Sequence, residues 1–176
     1  YFNRGNAKRK LKDDYGAISD YIKAIEINPS FEQAYYNRGN AKSDIEDYYG
    51  AISDYTKAIE FNQEYSIAYN NRGFVKFKIK DYYGAISDYN KAIEINPEYE
   101  DAYYERGLAK ESVKDYEGAI SDYTKVIQLN QDAWDAYYGR GISYSQLGKN
   151  KAALSDYNKA IEINPEDGDI YLDRGS

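Results

Sequence analysis

The chain of 176 residues has no cysteine, no histidine and no methionine, and only three prolines and one tryptophan. Without Cys there is no disulfide frame, no thiolate nucleophile and no Cys-based zinc site. Without His there is no imidazole acid–base group and no Ser-His-Asp arrangement. Lacking both, any metal site would consist of carboxylate and carbonyl oxygens, which suit Ca²⁺ or Mg²⁺. No apolar run comes near the ~18 residues of a membrane span, and the opening residues lack the pattern of a signal peptide. The missing initiator Met leads us to expect a processed or excised piece. The missing Cys fits either redox compartment and so does not locate the protein.

What the chain has in excess is tyrosine, with 23 residues, and acid: 30 Asp and Glu against 23 Lys and Arg give a formal net charge of −7. This balance argues against a nucleic-acid partner, because a phosphate backbone is held by clustered Lys and Arg. Neither a nucleic-acid nor a membrane partner is expected. The length suits one domain, and a charged fraction of 30% points to a soluble surface.

An internal repeat organises everything else. Gly5, Gly39, Gly73, Gly107, Gly141 and Gly175 are each 34 residues apart, as are Ala17, Ala51, Ala85, Ala119 and Ala153. Four residues after each Ala stands a tyrosine: Tyr21, Tyr55, Tyr89, Tyr123 and Tyr157. No insertion or deletion breaks the register. Within a unit the apolar spacing is helical: Ala51, Ile52, Tyr55, Ala58, Ile59 and Phe61 follow i, i+3, i+4, i+7. Ala34 to Ile45 behave alike, and Glu46-Asp47 forms a polar break between the two stretches. Each unit therefore reads as a helical hairpin of two helices, roughly 12–15 residues each. Pro29, Pro97 and Pro165 follow second helices and stop them. Gly39 and Ala51 are expected to let facing helices approach closely, since Gly inside a helix costs about 0.5–1 kcal/mol relative to Ala and needs a packing return.

These residues resemble the tetratricopeptide repeat, whose signature runs aromatic, Leu-Gly, aromatic or small residue, Ala, aromatic, Pro. The resemblance covers the whole chain: a partial first unit (1–31), four complete units (32–65, 66–99, 100–133, 134–167) and a truncated sixth (168–176). It implies an all-α fold, a right-handed α-solenoid superhelix of stacked antiparallel helix pairs. It also implies a concave groove lined by the first helix of each pair, in one solenoid over 1–176 that belongs to a longer array.

One departure from that family is systematic. Where the family has Leu before Gly, this chain has Arg4, Arg38, Arg72, Arg106, Arg140 and Arg174, and each second helix carries Asp20, Asp54, Asp88, Asp122 or Asp156. Either each Arg pairs with an Asp across the hairpin, or each snorkels to solvent while the Asp pairs along its own helix. A second period of 68 residues, in the prolines and in Thr56 and Thr124 against Asn90 and Asn158, reads as duplication of a two-repeat block.

On the family's geometry the groove offers eight candidate ligand-binding residues: Tyr36, Asn40, Asn71, Phe74, Asp101, Tyr104, Glu105 and Tyr138. Aromatics beside carboxylates suit a peptide carrying Lys or Arg, although Asp101 and Asp135 also suit the first turn of a helix. The family's carboxylate clamp for acidic tails needs two Asn and three basic residues. Its Asn places fall on Asn40 and Asn71, but its basic places fall on Tyr36, Asp101 and Glu105. The clamp is absent, which favours a basic or neutral ligand over an acidic C-terminal tail.

No Gly-rich phosphate loop, HExxH or EF-hand loop occurs, and Glu166, Asp167, Asp169 and Asp173 match no Ca²⁺ loop. No catalytic residue, metal site or cofactor is expected, and an enzyme is not. The expected function is a protein-interaction scaffold for a peptide or partner segment. The alternative is a self-assembly module that stacks end to end through its terminal repeats. Of the tyrosines, most read as a stacking core; Tyr15, Tyr48, Tyr49, Tyr82, Tyr83 and Tyr116 fall at hairpin turns or second-helix starts.

Overall fold

The computed structural model describes residues 1–166 and 168–175, less the side chains at 168, 169, 173 and 175. The expectations placed on Asp167, Asp169 and Asp173 thus lie outside what is described. The described residues are helical, without strands. They form two compact units, Tyr1–Asn96 and Pro97–Ser176. The first holds α1 (Phe2–Lys10), α2 (Asp14–Ile27), α3 (Glu32–Asp44), α4 (Tyr48–Phe61), α5 (Ser66–Lys78) and α6 (Tyr82–Ile95). The second holds α7 (Glu100–Ser112), α8 (Tyr116–Leu129), α9 (Trp134–Gln146), α10 (Asn150–Ile163) and α11 (Gly168–Gly175).

Consecutive helices pair as antiparallel hairpins: Arg4 meets Asp20, while Lys8, one turn further along α1, reaches back to the carbonyl of Gly16. The turns are set by local chemistry. Lys12, Glu46, Lys80 and Lys114 take φ of 63–66°, and Gly148 takes 70° in the last complete hairpin. The next residue, Asp13, Asp47, Asp81 or Asp115, caps the second helix by accepting the N–H of Gly16, Gly50, Gly84 or Gly118 at 2.9–3.0 Å. A Cβ on those glycines would fall 2.1–2.2 Å from the capping carboxylate, so a side chain there would make the carboxylate turn.

The first-helix glycines do something more specific than bring backbones together. Each is the seat of the tyrosine ring sixteen residues later: a Cβ on Gly5, Gly39, Gly73, Gly107 or Gly141 would come within 2.6–2.8 Å of Tyr21, Tyr55, Tyr89, Tyr123 or Tyr157. Those rings are the largest buried side chains of the core, and Ala17, Ala51, Ala85, Ala119 and Ala153 beside them are buried. Tyrosines near the start of the first helices also have a task. Tyr35, Tyr103 and Tyr171 donate their hydroxyls to the carbonyls of Pro29, Pro97 and Pro165 at 3.2–3.4 Å. Tyr15, Tyr49 and Tyr83 do not belong to the core: they are 75–77% exposed.

The Arg residues pair across the hairpin and do not snorkel away. Arg4, Arg38, Arg72, Arg106 and Arg140 grip Asp20, Asp54, Asp88, Asp122 and Asp156 bidentately, Nε to Oδ2 at 2.7–2.9 Å and Nη2 to Oδ1 at 2.5–2.8 Å. Lys8, Lys42, Lys76 and Lys110 reach the same Oδ2 at 2.8–3.0 Å. A buried carboxylate flanked by two cations and filled lone pairs meets the geometric demand of a desolvated ion pair. The guanidinium plane lies 5.3–5.6 Å over the tyrosine three residues earlier. Its third arm joins neighbouring hairpins: Nη1 of Arg72, Arg140 and Arg174 donates to Thr56, Thr124 and Asn158. The Thr/Asn alternation therefore marks a stacking contact and is more than a trace of duplication.

Candidate functional site

The eight candidates divide four to each compact unit. In the first unit, α3 and α5 bring Tyr36, Asn40, Asn71 and Phe74 together. Asn71 Nδ2 donates to Tyr36 Oη and to Asn40 Oδ1, both at 3.0 Å. Tyr55 Oη, rising from the core, donates to the same Asn40 Oδ1 at 2.8 Å. The amide of Asn40 is thereby fixed in orientation, with its NH₂ directed away from these bonds. Burial pushes the Tyr55 hydroxyl well above the usual tyrosine range, so it stays a neutral donor. The ring of Tyr36 lies between Tyr55, 5.9 Å away, and Tyr65, 5.0 Å away.

The same device stands one repeat earlier. Tyr21 donates to Asn6 Oδ1 at 2.7 Å, and Asn37 Nδ2 donates to it at 2.9 Å. Each device opens onto a cleft. One of about 320 Å³ is lined by Arg9, Asn40, Ser43, Asp44, Tyr55, Asn71 and Phe74. Another of about 440 Å³ is lined by Asn6, Arg9, Lys10, Tyr21 and Asn37. Arg9 is the wall common to both, held by Asp44 at 2.6 Å. Phe74 already carries a cation, with Lys78 Nζ 5.0 Å from its ring centre.

The second unit presents a different face. Tyr104 packs at 5.8 Å on Tyr123 and Tyr138 at 6.0 Å on Tyr157, each covering a buried ring. The Tyr104 hydroxyl is pushed up to about 12 by burial and by the negative charges of Asp135, Glu105 and Glu111. Burial, helped by Glu100, also raises Asp135, though its carboxylate accepts the N–H of Ala136 at 2.9 Å. Asp101 stands exposed at the first turn of α7. Acidic groups and half-buried aromatic rings thus share this face.

Sequence reasoning left two members of this face unnamed. Glu111 Oε2 accepts from Tyr123 Oη at 3.0 Å, and its Oε1 accepts from Ser143 Oγ at 2.6 Å. The available signal was Ser143, a hydroxyl where Ala41, Val75 and Ala109 stand; Glu111 falls in a variable column with Arg9, Ser43, Phe77 and Ser145. Among the described residues no group of three or more Asp, Glu, His or Cys could hold a metal ion. Among them, too, no helix is long and apolar enough to cross a membrane.

Family models of the tetratricopeptide repeat match residues 32–65, 66–99 and 134–167, and a TPR repeat model matches 5–45 and 114–148. The chain belongs to the tetratricopeptide repeat family. No curated protein matches this TPR chain. Among solved structures, the crystal structure of MamA is 30% identical, with a TM-score of 0.90 over 94% of this chain and 97% of that one. The structure of YrrB, described as a TPR protein with an unusual peptide-binding site, is 26% identical, with a TM-score of 0.86 over 98% and 88%. MamA 41-end from Desulfovibrio magneticus RS-1, 20% identical with a TM-score of 0.87 over 94% of each chain, shares the fold. TPR proteins are protein-interaction scaffolds, a family typically without enzymatic activity, and this chain has their all-α fold of stacked helical hairpins.

Proposed function

We propose that this TPR protein binds an extended peptide or partner segment, basic or neutral in charge, through the first-helix faces described above. The observation that carries the polarity is the second unit's face, where Tyr104, Glu105, Glu111 and Asp135 bring rings and negative charge together. A lysine or arginine of the partner gains there both a ring face and a charge complement. In the first unit the oriented amides supply a second ingredient. Asn6 and Asn40 each offer an NH₂ donor, and Asn37 and Asn71 each keep a carbonyl oxygen, the pair of groups that a peptide main chain complements. YrrB, with its reported peptide-binding site, supports the reading by similarity of fold.

The test is calorimetry with basic, neutral and acidic peptides of equal length. Basic peptides should bind best, and Asp101→Lys with Glu105→Lys should weaken them at least tenfold and flatten their salt dependence. A preference for acidic peptides would contradict the polarity.

A second reading is end-to-end self-association. It is favoured by exposed apolar residues at both ends of the fold, Tyr1 and Ile27 at 54% and 73%, and Leu154 and Leu172 at 47% and 73%. Light scattering over a concentration series should then show growth, and a constant monomer mass would reject it.

A further inference from the structure

A buried tyrosine hydroxyl needs a partner, and three of the hairpins show two ways of meeting that need. In α1/α2 and α3/α4 the acceptor is an asparagine fifteen residues back, Asn6 or Asn40. In α7/α8 that position is Leu108, which cannot accept. Tyr123 turns instead to Glu111, and Glu111 also takes the hydroxyl of the fully buried Ser143. One carboxylate therefore ties α7 to α8 and to α9. These α7 and α9 helices carry Asp101, Tyr104 and Glu105 on one side and Asp135 and Tyr138 on the other.

We propose that Glu111 is a proton-sensitive clasp between the two hairpins of the second unit, setting how α9 stands against α7 and so tuning the acidic face. The tuning, though not the clasp, rests on the peptide-binding reading above. An ionised carboxylate can only accept, whereas the protonated form carries a donor and accepts more weakly, which loosens or reverses one of the two hydroxyl bonds. Burial pushes the Glu111 carboxyl above its ordinary value, while the bonds from Ser143 and Tyr123 pull it back in part. The titratable groups around the cluster are Tyr104 and Glu105 of α7, Tyr123 and Asp122 of α8, and Asp135 of α9. Asp122 is neutralised by Arg106 and Lys110. With its folded value raised by burial, protonation of Glu111 stabilises the fold, fully below the unfolded glutamate value of about 4.3 and no longer once pH has risen through the folded value, whereas the two clasp bonds favour the ionised form.

The test uses the free protein first. Carbon-13 carboxyl titration by NMR should give Glu111 a midpoint above that of exposed Glu117, with the amide signals of Ser143 and Tyr123 moving at the same midpoint. In Glu111→Gln, which keeps the shape, those two amides should stop responding over that range. Glu111 titrating together with Glu117, or Ser143 moving independently of it, would overturn the clasp. A lysine-containing peptide should then change its affinity at least threefold between pH 7 and pH 5 in the wild type and by less in Glu111→Gln. Equal pH dependence in the two proteins would overturn the tuning and leave peptide binding itself standing.

Discussion

The two compact units share one frame and wear two faces. In both, an arginine grips a buried aspartate, a tyrosine ring sits on a glycine, and the turn before the second helix takes a positive φ. Yet in α1/α2 and α3/α4 of the first unit amides surround the tyrosine hydroxyl, while in α7/α8 of the second Leu108 replaces the amide and a carboxylate from another turn accepts instead. The lesson is that packing fixes only the requirement for an acceptor. The residue that provides it is free to vary, and with it the charge of the face.

The largest effect should come from the shared frame. Asp54→Ala in the first unit and Asp122→Ala in the second each leave an arginine and a lysine uncompensated, and each should cost about 3 kcal/mol by urea denaturation. Unequal costs, differing by more than ~1 kcal/mol, would break the claim of a common frame. Next, Gly39→Ala and Gly107→Ala should each cost about 1–3 kcal/mol, because the new methyl overlaps Tyr55 or Tyr123 by more than the helix propensity of Ala recovers. A gain in stability at either site would show that the ring can shift away.

The difference between the faces gives a sharper test. Glu111→Ala should cost about 1–2 kcal/mol by leaving Tyr123 without its acceptor. Adding Leu108→Asn, which rebuilds the first unit's arrangement, should recover part of that loss in the same denaturation assay; no recovery would mean the two solutions are not interchangeable. The smallest effect is expected at the turn. Lys114→Gly, matching Gly148, should stabilise by up to about 1 kcal/mol, since a non-glycine residue pays for the left-handed conformation that Gly adopts freely.

Acid should act on the first unit through Asp20. Hydrogen bonding to Arg4 above all holds its carboxyl well below the usual carboxylate range, against a smaller opposing push from burial and with a lesser pull from Lys8. Its folded value is depressed, so its contribution is present above the unfolded value of about 3.9 and fades as pH falls below it. Asp20→Asn should therefore melt with less pH dependence between pH 4 and pH 2 than the wild type.

Features copied in every unit were legible in the sequence, because repetition itself marks them as structural. The hairpins, the helix stops at Pro29 and Pro97, and the Arg–Asp pairing all follow from period and chemical need. Gly39 was recognisable as a packing glycine with Tyr55 as bulk beside it, and only the seating of the ring directly on the glycine depended on a rotamer that no spacing specifies. The turns were less legible: Lys12, Glu46, Lys80 and Lys114 occupy a conformation that composition assigns to Gly. Glu111 escaped because its column varies from unit to unit and Ser143 because it breaks an apolar column only once; their 2.6 Å meeting gives the two a common cause. Tyr15, Tyr49 and Tyr83 recur in three units, with Glu117 and Lys151 in their place later, and they face solvent; nothing in the structure explains them.

Mapping peptide contact by NMR tests the central claim most directly. On titration with a lysine-containing peptide, amide shifts in the second unit should concentrate at Asp101, Tyr104, Glu105 and Tyr138 and fade as salt is raised. Shifts centred on the exposed sides of α8 and α10, or a response insensitive to salt, would contradict the account.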